Sequence, residues 1–270
     1  MKKEYSLILA ESQDDVCWVA INRPHDRNSI NTALMGEITQ VLEEVEQTAI
    51  RAMVFTGSGE THFIGGADGI EMMQCDPEGA LAFSVRIQEL FNRMEESPLI
   101  LVAAINGLCF GGGLEFSLAC DFRIASDSAR IGLPEVKVGI IPGGGGTQRL
   151  PRVVGMGRAM EMILSGKLYQ AKDARDLGLI HRTVPGEKLI AETQEFLKPV
   201  LANPRHALTH AKRALRASQW LPFSDGLQNE SQEFKGCFSS DFFVSLMCQQ
   251  IRSGVLKTTS KLPEWVYNER

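Results

Sequence analysis

Apolar and polar residues alternate along this chain in two rhythms. YSLILAES (5–12) and VCWVAINR (16–23) are short apolar runs split by the polar QDD, and they predict two strands joined by a turn. From Ser29 to Thr48 the rhythm is helical, with Ile30, Leu34, Ile38, Val41, Leu42 and Val45 on one face. AMVFTGSG predicts a buried strand ending in a glycine turn. Pro77–Met94 predicts a second amphipathic helix, and LILVAAING another strand. FRIASDSARIG gives short strands again, and Leu179–Val184 a last one. Strands alternating with helices require crossover connections, so the expected class is α/β with a mainly parallel arrangement.

The pattern changes near Lys198. NPRHALTHAKRALRAS, FSDGLQNESQEF and SSDFFVSLMCQQIRSG are helical, with few strand candidates among them. The expected organisation is therefore a core over 1–200 and a helical region over 201–270. An appendage of about 70 residues is too small to bury its own apolar faces well. It is expected to pack on the core or on another subunit.

Composition narrows the partners. A chain of 270 residues is long enough for one large domain with an appendage. Its net charge of -5 argues against broad nucleic-acid binding, while leaving room for a small anionic ligand held by local cations and amides. The six cysteines form no C-x-x-C pair and read as free thiols of a reducing compartment, with the cytoplasm as the expected location. MKKEYSLILAES lacks the long apolar core and cleavage site of a signal peptide and is read as the approach to a first strand. No apolar stretch reaches membrane-spanning length, so no membrane partner is expected.

The candidate chemistry sits in three glycine-rich turns: FIGGADGIEM, NGLCFGGGLEFSLAC and IGLPEVKVGIIPGGGGTQRL. Glycine permits positive φ and close approach of a ligand to the main chain. A strand, a glycine turn and a helix start together present backbone N–H groups to an anion. The middle turn has neither G-x-G-x-x-G nor G-K-[ST], so neither a dinucleotide site nor a phosphate-binding P-loop is indicated. Glu115 lies on an otherwise apolar helix, where burial should raise its pKa or demand a partner. Glu135 follows Pro134, and as a single residue it also fits a helix-start acid. Three such loops, two followed closely by an acid in apolar surroundings, point jointly to a site. His206 and His210 stand at i, i+4 but lack the acid of H-E-x-x-H, so a solvated or packing role is preferred and no metal is expected. No G-x-S-x-G elbow is present. The cations of HAKRALRAS read as one solvated helix face.

Taken together, INRPHDRNSIN, FIGGADGIEM, AAINGLCFGGGLEFSLACDFRIAS, IGLPEVKVGIIPGGGGTQRLPRVVG and the helical AMEMILSGKLYQAKDARDLGLI resemble the crotonase superfamily, the enoyl-CoA hydratase/isomerase family. The resemblance runs from about residue 5 to 200 and is looser beyond 205. It implies a spiral of ββα turns followed by a C-terminal helical trimerisation region, with trimers often paired into hexamers. It also implies chemistry on acyl-CoA thioesters through an enolate, with coenzyme A as part of the substrate and no separate cofactor. By motif, the thioester oxygen would be bound by the amides of Ala67 and Gly112, the oxyanion hole. Glu135 would be the main acid, Glu115 would orient or activate water, and the main chain at Gly143 would help hold that water. Coenzyme A would run along Ala67, Asp68, Gly69 and Ile70, with Arg27 facing a phosphate. Gly69 departs from the aliphatic residue usual in the family after the aspartate.

Both acids together favour a hydratase over an isomerase or decarboxylase of the same superfamily. A non-catalytic assembly or RNA-binding protein on this scaffold is disfavoured by the two acids, both oxyanion donors and the acidic net charge.

Overall fold

A computed structural model of the chain describes residues 5–257 and 263–266. The opening MKKE, and residues 258–262 and 267–270 of the expected helical region, lie outside the described residues. In chain order the strands and helices are β1 (Ile8–Gln13), β2 (Val16–Ile21), α1 (Thr32–Glu46), β3 (Ala52–Gly57), β4 (His62–Ile64), α2 (Gly69–Met73), α3 (Pro77–Glu96), β5 (Ile100–Ile105) and β6 (Leu108–Phe110). They continue with α4 (Gly112–Ala119), β7 (Phe122–Ser126), β8 (Arg130–Gly132), α5 (Gly146–Val154), α6 (Met156–Ser165), β9 (Tyr169–Gln170), α7 (Ala171–Asp176), β10 (Arg182–Val184) and α8 (Leu189–Leu201). Last come α9 (Arg205–Ala217), α10 (Phe223–Cys237) and α11 (Phe242–Arg252).

The strands form two sheets. The first has the order β1-β2-β3-β5-β7-β10 and is parallel except for the β1–β2 hairpin. The second, β4-β6-β8-β9, is parallel from β4 to β8. Each of β3–β4, β5–β6 and β7–β8 therefore contributes one strand to each sheet before the chain enters a helix. That repeat is the expected ββα spiral. Strands β4, β6, β8 and β9 are only two or three residues long, too short to show alternation. The run AMEMILSGKLYQAKDARDLGLI, read as helical, is broken at Gly166, in the left-handed region, and β9 pairs antiparallel with β8 after it. The last strand is shorter than expected, because the amides of Leu179 and Ile180 bond back to the end of α7.

Caps fix the helices that flank the site. Asn31 accepts the Leu34 amide at the start of α1, and Asp76 accepts the Gly79 amide at the start of α3, with Pro77 in the first turn. Apart from Glu115 and Ser117, α4 is apolar on every face, and it is buried along its whole length, as such a helix must be. Phe116 on α4 meets Phe55, Phe63 and Phe91 edge-on, with ring centroids 5.0, 6.1 and 5.8 Å away. Each such pair adds about 0.5–1.5 kcal/mol beyond burial and helps fix α4 in rotation.

The chain divides into two compact units, 1–205 and 206–270. Within the second, His210 Nδ1 lies 2.6 Å from Glu233 and His206 packs on Phe242. Among the described residues no group of three or more metal-ligating side chains occurs, and no helix is long and apolar enough to cross a membrane. Lys212 departs from the expected solvated face, being buried.

Candidate active site

Parallel pairing of β4, β6 and β8 sets their C-terminal ends side by side, about 5 Å apart per strand. The three glycine turns leave from those ends, so residues far apart in sequence become neighbours. The Gly111 amide donates to the Gly132 carbonyl at 3.0 Å, tying the second turn to the third. On the other side, a bridge between Ile30 and Ala67 holds the first turn, through Ile30 N to Gly66 O and Asp68 N to Ile30 O, both 2.8 Å.

Two glycines are demanded by this closeness. Gly111 has φ +50, and a Cβ there would lie 3.0 Å from Glu135 Oε1. At Gly113 a Cβ would fall 2.1 Å from the Ile64 carbonyl, so α4 can start beside β4 only without a side chain there. Between them, Gly112 opens α4, where the first N–H groups have no intrahelical acceptor. Its Cβ position is 3.2 Å from Ala67 N. Among the described residues neither the Ala67 nor the Gly112 amide has a protein acceptor. Two unused donors thus stand together at a helix N-terminus, an arrangement suited to a developing oxyanion.

Glu115, one turn along α4, is 3% exposed. Its Oε1 accepts from the amides of Gly144 and Gly146, at 2.8 and 2.7 Å, and among the described residues Oε2 has no hydrogen-bond partner. Burial pushes its pKa up, while the Gly146 and Gly144 amides and the nearby Arg149 charge pull it down. Glu135 opens a short 3-10 turn after β8, and its buried Oε2 has no hydrogen-bond partner among the described residues. Burial, with the Glu115 carboxylate adding, pushes its pKa up to about 7. The environments of the two acids therefore differ: one oxygen of Glu115 is fixed as an acceptor, while Glu135 is left to carry a proton near neutrality.

The other expected contacts are placed as follows. Asp68 is occupied: it caps α2 through the amides of Ile70 and Glu71, and pairs with Arg23 at 3.0 Å. Gly69 and Ile70 are exposed at the start of α2, and a Cβ on Gly69 would meet nothing within 4 Å. Arg27 is exposed with φ +57, and its carbonyl accepts the Gly65 amide at 2.9 Å, which sets it beside the first turn. The Gly143 carbonyl accepts from Ser84 Oγ and Gln88 Nε2 of α3, both at 2.7 Å. The amides that hold Glu115 come from the next residues, Gly144 and Gly146.

Sequence reasoning also missed Arg149 and Glu95. The guanidinium of Arg149 bonds both Glu95 oxygens at 3.1 Å, Asn92 Oδ1 at 2.6 Å and the Gly144 carbonyl at 3.0 Å. The only sequence signal was polar residues recurring beside the apolar face of α3.

Comparison with known proteins agrees with this architecture. The sequence signature of the enoyl-CoA hydratase/isomerase family matches residues 11–247. A short-chain-enoyl-CoA hydratase of Clostridium acetobutylicum is 35% identical over 239 residues, 88% of this chain and 92% of that protein. A crotonyl-CoA hydratase of Syntrophomonas wolfei is 33% identical, over 87% of this chain and 91% of that one. The crystal structure of an enoyl-CoA hydratase from Bacillus anthracis superposes with a TM-score of 0.86 at 35% identity, covering 92% of this chain and 97% of that one. With its ββα spiral and its two acids at the glycine turns, the chain belongs to the enoyl-CoA hydratase/isomerase family.

Proposed function

We propose that this protein is an enoyl-CoA hydratase, adding water across the 2,3 double bond of a 2-enoyl-CoA thioester to give a 3-hydroxyacyl-CoA. The observation that carries the reading is the contrast between two neighbouring acids, Glu115 held by two amides and Glu135 with a buried, unpartnered oxygen and a pKa near 7. Hydration needs that contrast, one group to take a proton from water and one to give a proton to carbon.

In this reading the thioester oxygen lies against the Ala67 and Gly112 amides. Water on the free Oε2 of Glu115 attacks Cβ as its proton passes to that carboxylate. The electron pair of the double bond moves toward the thioester oxygen, where the two amides stabilise it, at ~3–4 kcal/mol each. Glu135 then delivers its proton to Cα, and proton return from Glu115 to Glu135 resets the pair. No metal or separate cofactor enters this scheme.

Coenzyme A would lie along Ala67, Asp68, Gly69 and Ile70. Arg27 would be placed for a phosphate and Ile70 for the pantetheine or acyl chain, while Asp68 would act through its cap and its pair with Arg23. The main chain at Gly143 would help hold the attacking water, with its carbonyl fixed by Ser84 and Gln88. The helical unit would assemble trimers or paired trimers. Phe223, Phe234 and Trp220 stay 83%, 66% and 54% exposed in the single chain, a large apolar surface for a 65-residue unit. Six free thiols fit a reducing compartment, the cytoplasm.

The test is incubation with crotonyl-CoA in ¹⁸O-labelled water, followed by mass spectrometry. Hydration places one labelled oxygen at Cβ. Migration of the double bond without label would replace this reading with an isomerase.

A further inference from the structure

Helix α3 carries a polar stripe beside its buried apolar face. Ser84, Gln88, Asn92 and Glu95 stand at i, i+4, i+8 and i+11 and so share one side of the helix, next to Ile87 and Phe91. Every member of the stripe is bonded to the third glycine turn or to the side chain that grips it. Asn92 and Glu95 hold Arg149, which holds the Gly144 carbonyl. Ser84 and Gln88 both donate to the Gly143 carbonyl, and Gln88 also donates to Ser84 Oγ at 3.1 Å.

The Gly143 carbonyl and the Gly144 amide are the two ends of one planar peptide. The far end of that peptide donates to Glu115 Oε1 at 2.8 Å. Two donors on the carbonyl fix the plane in rotation and polarise it, which strengthens the N–H as a donor. We propose that Ser84 and Gln88 are positioning residues that orient Glu115, and favour its proton-accepting form, through the Gly143–Gly144 peptide. The inference rests on the reading of Glu115 as the water-activating base.

The other charged groups acting on Glu115 come from elsewhere. Arg149 on α5 favours its carboxylate, Glu135 on the 3-10 turn opposes it, and Glu95 on α3 is paired with Arg149. Ser84 and Gln88 are uncharged and only half-buried, and the Glu95–Arg149 pair still joins α3 to α5 without them. Removing their donor groups therefore addresses the peptide rather than the helix packing.

The experiment compares wild type, Ser84→Ala, Gln88→Met, the double variant and Ser84→Thr in crotonyl-CoA hydration from pH 5 to 9, with circular dichroism for each. A ¹³C-NMR titration of the Glu115 carboxyl accompanies the kinetics. The double variant should lose ~10–100-fold in kcat with KM within ~3-fold, the pattern of a lost transition-state interaction. The acidic limb of its pH profile should move to higher pH, because a carboxylate with a weaker donor protonates more readily. Ser84→Thr, which keeps the hydroxyl, should stay within ~3-fold of wild type. A double variant with the wild-type profile overturns the proposal, as does a loss of kcat with an unmoved acidic limb or a loss that tracks unfolding. If wild type is inert on crotonyl-CoA, the hydratase reading fails instead. The Glu115 titration then decides the positioning role alone: an upward shift in the double variant supports it, and no shift overturns it.

Discussion

Arg149 and Glu95 form a two-point ion pair almost out of solvent, Nε to Oε1 and Nη2 to Oε2, each 3.1 Å. The pair bolts α5 to α3, and its third arm, Arg149 Nη1 to the Gly144 carbonyl, fixes the turn whose amides hold Glu115. Structural anchoring and alignment of the site thus run through one guanidinium. Breaking a buried pair by removing one partner typically costs ~3–5 kcal/mol, because the other charge stays buried alone. Arg149→Met and Glu95→Gln should each lower the melting temperature by ~10 °C, and the double variant by clearly less than the sum. Additive losses in thermal melts would show that the two charges are not energetically coupled.

Glu115→Gln and Glu135→Gln should each suppress hydration of crotonyl-CoA by ~10²-fold or more. The double variant should be little worse than either single one, since groups that act on one water are non-additive. Full activity in the Glu115→Gln protein, measured as loss of enoyl absorbance, would remove that residue from the mechanism.

Glu135 ties pH to both activity and stability. A proton donor works only while protonated, so kcat/KM should fall as pH rises through about 7. For stability, a carboxyl whose folded pKa lies above its unfolded value gives a folded state that binds the extra proton. Stability is then lost as pH rises from the unfolded pKa through the folded one. Glu135→Gln, neutral at every pH, should therefore melt ~3–8 °C above wild type at pH 8 and close to it at pH 4. Equal melting temperatures at pH 8 would show that Glu135 ionises without cost.

The oxyanion donors can be tested by neighbouring glycines. A Cβ on Gly112 meets Ala67 N at 3.2 Å, a contact that small shifts relieve, whereas one on Gly113 meets the Ile64 carbonyl at 2.1 Å. Gly112→Ala should fold and lose ~10²-fold in kcat/KM, with Gly112→Val lower still. Gly113→Ala should fail as a folded protein. Near wild-type turnover by Gly112→Ala would place the thioester elsewhere.

Removal of residues 205–270 should leave monomers or aggregates, given the aromatic surface of that unit. A truncated protein that runs as a soluble, active trimer in light scattering would contradict this role.

Much was determined by sequence alone. Helical periodicity located α1 and α3, the apolar runs located the long strands, and the glycine turns with Glu115 and Glu135 pointed to the candidate site. These features are local, each stated by residues within a turn or a strand of one another. Only the tertiary structure decided what those residues meet. Strands of two or three residues carry no readable alternation, yet pairing β4, β6 and β8 in parallel is what gathers turns that lie tens of residues apart. Glu115 is held by amides 29 and 31 positions away, and α3 reaches the same turn across 54 to 59 positions. A backbone amide has no residue identity for a sequence to display, and the polar stripe of α3 looks solvent-facing until the glycine turn folds against it. Position along the chain says which groups exist, and hydrogen bonding between distant segments says which of them meet.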